Sequence, residues 1–177
     1  LTSQIEEMVN QTLEVGQQTQ QVSSAVENFH INFDQVANSS QETISLVTQT
    51  KDISFASLVK LDHIIYMQNG YIGLENSGKG AEATEAEVNH HQCRLGQWYY
   101  EGAGFTEFNH LPSFRRLESS HREVHESVQH AMTLVSQNWL EDDEVLDSIV
   151  DTLENAERAS HNVINCISEM VKEKHKA

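Results

Sequence analysis

The sequence contains one proline and only eight glycines in 177 residues. So few chain breakers favour long helices over a many-stranded sheet. Basic residues are scarce as well, with 11 Lys and Arg against 27 Asp and Glu, a formal charge of −16. An excess this acidic argues against binding to nucleic acid or to anionic membrane surfaces. No apolar run approaches the roughly 20 residues that a bilayer-spanning helix needs, and no stretch reads as a secretory signal. The chain begins at Leu1, as a piece of a longer protein would. Two cysteines, Cys93 and Cys166, are too few for a disulfide scaffold. Histidine, by contrast, is plentiful: there are ten. The length suits one domain, or one domain with an appendage, with enough chain to bury a real core.

Residues 1–50 hold no proline and one glycine, Gly16, and are rich in Gln, Ser, Thr, Asn and Val. Met8, Val15, Val22, Phe29 and Val36 recur every seventh position, and Ile5, Thr12, Thr19, Val26 and Phe33 form a second series offset by three or four. That is a narrow heptad seam, weakened by threonine in its first half. It predicts a long helix that pairs with a second copy of the chain. Gln17, Gln18, Gln20 and Gln21 read as a solvated face.

Four helical stretches follow. The first covers about 53–74, with Phe55, Leu58, Leu61, Ile65 and Gln68 on one face and Asn69-Gly70 weakening its end. After a turn over 75–82, a second helix is expected from Ala83 through Tyr100, broken at Glu101–Gly104. Pro112 suits the first turn of a third, running to about Leu140. The acidic cluster Glu141–Glu144 opens a fourth, with Leu146, Ile149, Leu153, Ala156, Ser160, Val163 and Ile167 in 3-4 spacing. Lys172, Lys174 and Lys176 complement its C-terminal dipole. The expected fold is all-α: an antiparallel four-helix bundle over 51–177, preceded by the heptad helix of 1–50.

Several of the histidines form a pattern. His121 and His125, four apart on a predicted helix, put both imidazoles on one face, where they can share a metal. Glu123 falls on another side, so this is not the zincin arrangement in which Glu follows the first His. Cys93, in Cys-Arg-Leu-Gly-Gln-Trp, adds a thiolate that suits zinc beside imidazoles. His63 lies among Leu61, Ile64 and Ile65, where a buried imidazole needs partners. Facing helices of a bundle core bring such groups together.

The ordered set of His63, Tyr66, Cys-x-Leu-Gly-x-Trp at Cys93–Trp98 and His-x-x-x-His at His121 and His125 resembles the chemoreceptor zinc-binding domain, over roughly residues 53–136. The resemblance implies a cytoplasmic four-helix bundle with one zinc per chain, bound by His63, Cys93, His121 and His125. It also implies attachment at the C-terminal end of a methyl-accepting chemotaxis receptor, whose kinase and adaptor bind parts lying outside this chain. Some diguanylate cyclases carry the same domain as a regulatory module, which is the alternative, together with a purely structural zinc bundle. A di-metal carrier of the hemerythrin kind needs bridging carboxylates and no thiolate, so Cys93 argues against it. Four protein ligands leave no open position for water, so no enzymatic role is expected. The remaining histidines read as ordinary. His90 and His91 are expected at the surface, His130 misses the site, and His30, His110, His161 and His175 have no evident partner. Cys166, Trp98, Tyr99 and Phe105 are expected in the core or at a bundle end, and Gly96 at a close approach.

Overall fold

A computed structural model describes residues 2–176. Its described residues form six helices and no strand: α1 (Thr2–Glu75), α2 (Ala81–Ala86), α3 (Arg94–Tyr100), α4 (Ala103–Phe108), α5 (Pro112–Val135) and α6 (Asp143–Lys174). Two compact units divide the chain, Leu1–Thr48 and Gln49–Ala177. Among the described residues no helix is long and apolar enough to cross a membrane.

The first unit is helix alone. Its heptad residues stay in solvent, Val22 at 62% and Phe29 at 63% exposure. Thr12 and Thr19 return their hydroxyls to the carbonyls of Met8 and Val15, 2.7 Å in each case. This back-bonding satisfies the polar group inside the helix.

The second unit is the bundle. Three rods frame it: the part of α1 after residue 48, α5 and α6. Lys60 donates to Ser168 and Tyr71 to Glu157, so α1 and α6 run antiparallel. Arg116 pairs with Glu169 while Ser113 donates to Glu173, so α5 and α6 are antiparallel too. The fourth position is filled by α2, α3 and α4 in succession. Ala83 lies against Gly73, Trp98 against Phe55, and Glu107 against Lys51 and Lys174, so this segment runs back down α1.

The all-α bundle is as expected, but three local readings change. The predicted helix from Ala83 to Tyr100 is two short helices separated by a turn, and Cys93 caps the second instead of lying within a helix. The first bundle helix runs to Glu75, close to its expected end, so the glycines at 70 and 73 lie within it. They sit on its buried face. A Cβ at Gly70 would stand 3.1 Å from Val128 Cγ1, and one at Gly73 3.1 Å from Ala83 Cα. Small residues there let the neighbours close in. The buried face is therefore Asp52, Ala56, Val59, His63, Met67, Gly70 and Gly73, while Leu58, Leu61 and Ile65 point outward. Apolarity alone picked the wrong stripe. The third helix stops at Val135 instead of Leu140, where Ser136 and Gln137 turn back onto the carbonyls of Thr133 and Leu134. Pro112 occupies the first turn of α5 as expected, and Asp142 caps α6 through the N–H groups of Glu144 and Val145.

Trp98 fills the lower bundle against Phe55, Phe108 and Phe114. Cys166 is in the core, but Phe105 is exposed, contrary to expectation. At the same end, Asp52 is 5% exposed. Its carboxylate accepts from Lys174 Nζ and from His175 Nε2, both at 2.8 Å. Lys174 also reaches Glu107 and lies 4.0 Å above the Phe108 ring. Burial works against the ammonium charge, but Asp52 and Glu107 outweigh it and hold the Lys174 pKa above its usual value.

Buried charge is tolerated only when paired, so removing one partner is costly. Asp52→Ala is expected to lower stability by about 2–3 kcal/mol in urea unfolding, and Asp52→Asn by less. A loss below about 0.5 kcal/mol, the range of ordinary surface substitutions, would contradict this role.

Candidate metal centre

Four residues meet inside the bundle from three elements. His63 comes from α1, His121 and His125 from successive turns of α5, and Cys93 from the turn that leads into α3. That turn is wound around Asn89. The Asn89 side-chain oxygen accepts from the N–H groups of His91 and Gln92, and its carbonyl accepts from those of Gln92 and Cys93. Cys93 then caps α3, its Sγ accepting from Gly96 N at 3.3 Å. Only glycine fits at 96, because a Cβ there would fall 1.9 Å from the His90 carbonyl oxygen. The close approach expected at Gly96 is thus to a loop carbonyl instead of to another helix.

The three imidazoles are almost fully buried, at 2%, 1% and 1% exposure. One ring nitrogen from each of His63, His121 and His125 lies within 4.8 Å of the other two. Ring centres are 5.0 Å apart for His63–His121 and His121–His125, and 6.0 Å for His63–His125. Two imidazoles bound to one tetrahedral zinc at about 2.0–2.1 Å have ring centres about 5 Å apart. Cys93 Sγ stands 3.2 Å from His121 Nε2, close enough to share one proton.

Two backbone carbonyls orient the rings. His63 Nδ1 donates to Val59 O at 3.2 Å, and His125 Nδ1 donates to Val88 O at 2.7 Å. Placing the proton on Nδ1 leaves the Nε2 lone pair free, as a metal ligand requires. Both Nε2 atoms are buried without a hydrogen-bond partner. Buried polar atoms are nearly always satisfied, so two orphans facing one another mark a missing partner. Tyr66 steadies the arrangement: its ring lies 4.2 Å from that of His125, and its hydroxyl donates to Ala86 O at 2.8 Å.

The electrostatics favour neutral rings. Burial, followed by the neighbouring imidazoles, pushes His121 down to about 2. Burial likewise pushes His125 down to about 4, against the pull of the Val88 carbonyl, and lowers His63. Burial raises the Cys93 thiol, while the N–H groups of Gly96 and Leu95 pull it down. A divalent cation among these donors would be the largest local charge and would favour the thiolate. Three neutral imidazoles and one thiolate form a donor set suited to zinc.

All four residues expected as ligands are therefore together. Glu123 and His130 are exposed on α5, away from the cluster. Other neighbours were not foreseen. Asp62 pairs with Arg94 at 3.3 Å, and with it lines a cleft of about 330 Å³ that opens beside His63, Cys93 and His125. His90 is half-buried, with its ring 6.0 Å from that of His121 and 6.4 Å from that of His125. Its spacing of three from Cys93 was the available signal, but it carries weight only once the segment is known to be a turn.

Free in an unfolded chain, these imidazoles titrate near 6.5. Their folded values lie lower, so below about pH 6.5 the unfolded chain takes up protons that the folded chain does not. Stability is full above that pH and falls as acid is added. The Tm of metal-stripped protein is expected to drop steadily from about pH 6.5 to 5, before carboxylates titrate, and more shallowly in His121→Gln. A flat Tm across this window in scanning calorimetry would contradict the burial of neutral imidazoles.

No curated protein and no solved structure matches the chain significantly. One protein family does match part of it. Residues 63–132, which contain His63, Cys93, His121 and His125, match the model of the chemoreceptor zinc-binding domain.

Proposed function

We propose that residues 51–177 form a zinc-responsive regulatory domain, and that residues 1–50 are the C-terminal part of a chemoreceptor coiled-coil helix. The observation that carries this reading is the pair of buried, unpartnered Nε2 atoms of His63 and His125, beside Cys93 and His121. His63, Cys93, His121 and His125 would hold the ion. Zinc bound by four protein groups supplies cross-linking and charge neutralisation, with no open position for a reactive water.

The chain's own residues then link the centre to the fold. The carbonyls of Val59 and Val88 hold the His63 and His125 rings in the ligating tautomer. Because Val88 and Cys93 both belong to the segment between α2 and α3, loss of the centre releases that segment from α5. Loss also frees His63 on α1, which is one continuous helix from Thr2. A shift of α1 at His63 is the route by which the domain would signal, whether the stimulus is zinc, pH or an oxidant. Such coupling requires two states that differ in occupancy of the site.

The reading further includes a cytoplasmic setting and a homodimer formed through the N-terminal helix. Supporting the dimer is the solvent exposure of Met8, Val15, Val22, Phe29 and Val36, a repeating apolar seam that is costly to leave in water. The chemotaxis kinase and adaptor would act on receptor parts outside this chain.

Native mass spectrometry tests the centre. One zinc per wild-type chain is expected, with tighter binding than in Cys93→Ala and no retention in His121→Ala. Absence of zinc after its addition would remove the reading. Analytical ultracentrifugation tests the dimer. A dimer at micromolar concentration is expected, weakened at least about tenfold by Val22→Asp/Phe29→Asp, since a charge at the seam faces apolar neighbours. A monomeric wild type would overturn the pairing.

A further inference from the structure

The donor set around the centre is larger than a four-coordinate ion needs. Besides the four proposed ligands, His90 presents a fifth donor group. Its ring centre is 6.0 Å from that of His121 and 6.4 Å from that of His125, comparable with the 6.0 Å between His63 and His125. Neither ring nitrogen of His90 has a hydrogen-bond partner among the described residues, so both are available. The backbone explains its placement. Residues 90–93 form a single turn closed by Asn89 O on the N–H groups of Gln92 and Cys93. Side chains three apart on such a turn share a side, which puts His90 and Cys93 at the same edge of the cluster. Gly96 seats the His90 carbonyl and keeps that turn in place.

We propose that His90 is a reserve metal ligand: when the Cys93 thiolate leaves the centre, the His90 imidazole takes its position and keeps the ion bound by four histidines. This rests on the metal-centre reading above and extends it to a residue outside the expected ligand set. The exchange involves no redox step. One neutral nitrogen donor replaces one anionic sulfur donor, so the centre gains one unit of positive charge. His91 is not equivalent, since its ring stacks on Tyr100 at 4.1 Å and is exposed. The sulfur-to-nitrogen swap would tell apart two occupied states of the site, each with a different arrangement of the turn before α3.

The test is zinc affinity by chelator competition, together with the visible and near-ultraviolet spectra of the cobalt(II)-loaded protein. It uses the full chain as wild type, His90→Ala, Cys93→Ala, the Cys93→Ala/His90→Ala pair and the Cys93→Ala/His91→Ala pair. His90→Ala alone is expected to change affinity less than about threefold, while the Cys93→Ala/His90→Ala pair binds at least about tenfold more weakly than Cys93→Ala, a non-additive loss. Cobalt-loaded Cys93→Ala should lose the sulfur charge-transfer band yet keep tetrahedral visible absorption, and the second substitution at 90 should abolish it. The pair with His91→Ala should match Cys93→Ala, which separates ligand loss from general damage to the turn. Equal affinities for Cys93→Ala and its pair with His90→Ala would overturn the proposal, as would loss of all metal from Cys93→Ala. Failure of wild type to bind zinc would instead sink the metal-centre reading itself.

Discussion

Three imidazoles buried in the middle of a helical bundle are the constraint on which the rest of this structure depends. Each could hydrogen-bond through two ring nitrogens, and the core offers a carbonyl for only one nitrogen of His63 and of His125. The remaining Nε2 atoms are buried without a hydrogen-bond partner, within one cluster of ring nitrogens. Desolvation keeps the rings neutral, so repulsion between charged rings does not push them apart. What is left is a cluster of lone pairs that packing alone cannot satisfy. An apolar bundle of this size would gain more from leucine at these positions. The sequence keeps histidine there, and a metal ion is the partner that would satisfy these lone pairs together.

The interruption of the second bundle strut follows from the same constraint. A continuous helix from residue 83 to 100 would place Cys93 by the helical period. A capping turn instead directs its Sγ at His121 and leaves the Val88 carbonyl free to meet His125. Asn89 closes the turn and Gly96 allows it to pack. The cost is regular backbone hydrogen bonding over 87–93, compensated by the Asn89 side chain and by the sulfur cap. At the far end of the bundle, away from the imidazoles, the buried Asp52–Lys174 pair anchors α6 to α1.

The outer face of α1 shows how far pattern reading carries. Leu58, Leu61 and Ile65 form the more apolar stripe, yet they face water, and the bundle takes the stripe of Val59, His63, Gly70 and Gly73. Helix contact here is governed by how closely backbones can approach, and small residues win over large apolar ones. For the same reason the helix continues through Asn69-Gly70 to Glu75. Glycine is a breaker where the chain is free, but here the gain from packing on Val128 exceeds its propensity cost.

Read alone, the sequence determined the helical class, the helix starts at Pro112 and in the acidic cluster 141–144, the heptad repeat of residues 5–36 and which four donor side chains to look for together. Each of these depends on residue type or on short spacing: scarce breakers, capping chemistry, a seven-residue repeat, and imidazoles four apart on one helix. Tertiary structure alone decided which face of α1 is buried, where the second strut breaks, which ring nitrogens point inward, and that His90 stands beside the cluster. These depend on distances between residues far apart in the chain, and on which backbone carbonyls a fold leaves unpaired. No local pattern encodes either, because both come into being only when the helices close on one another.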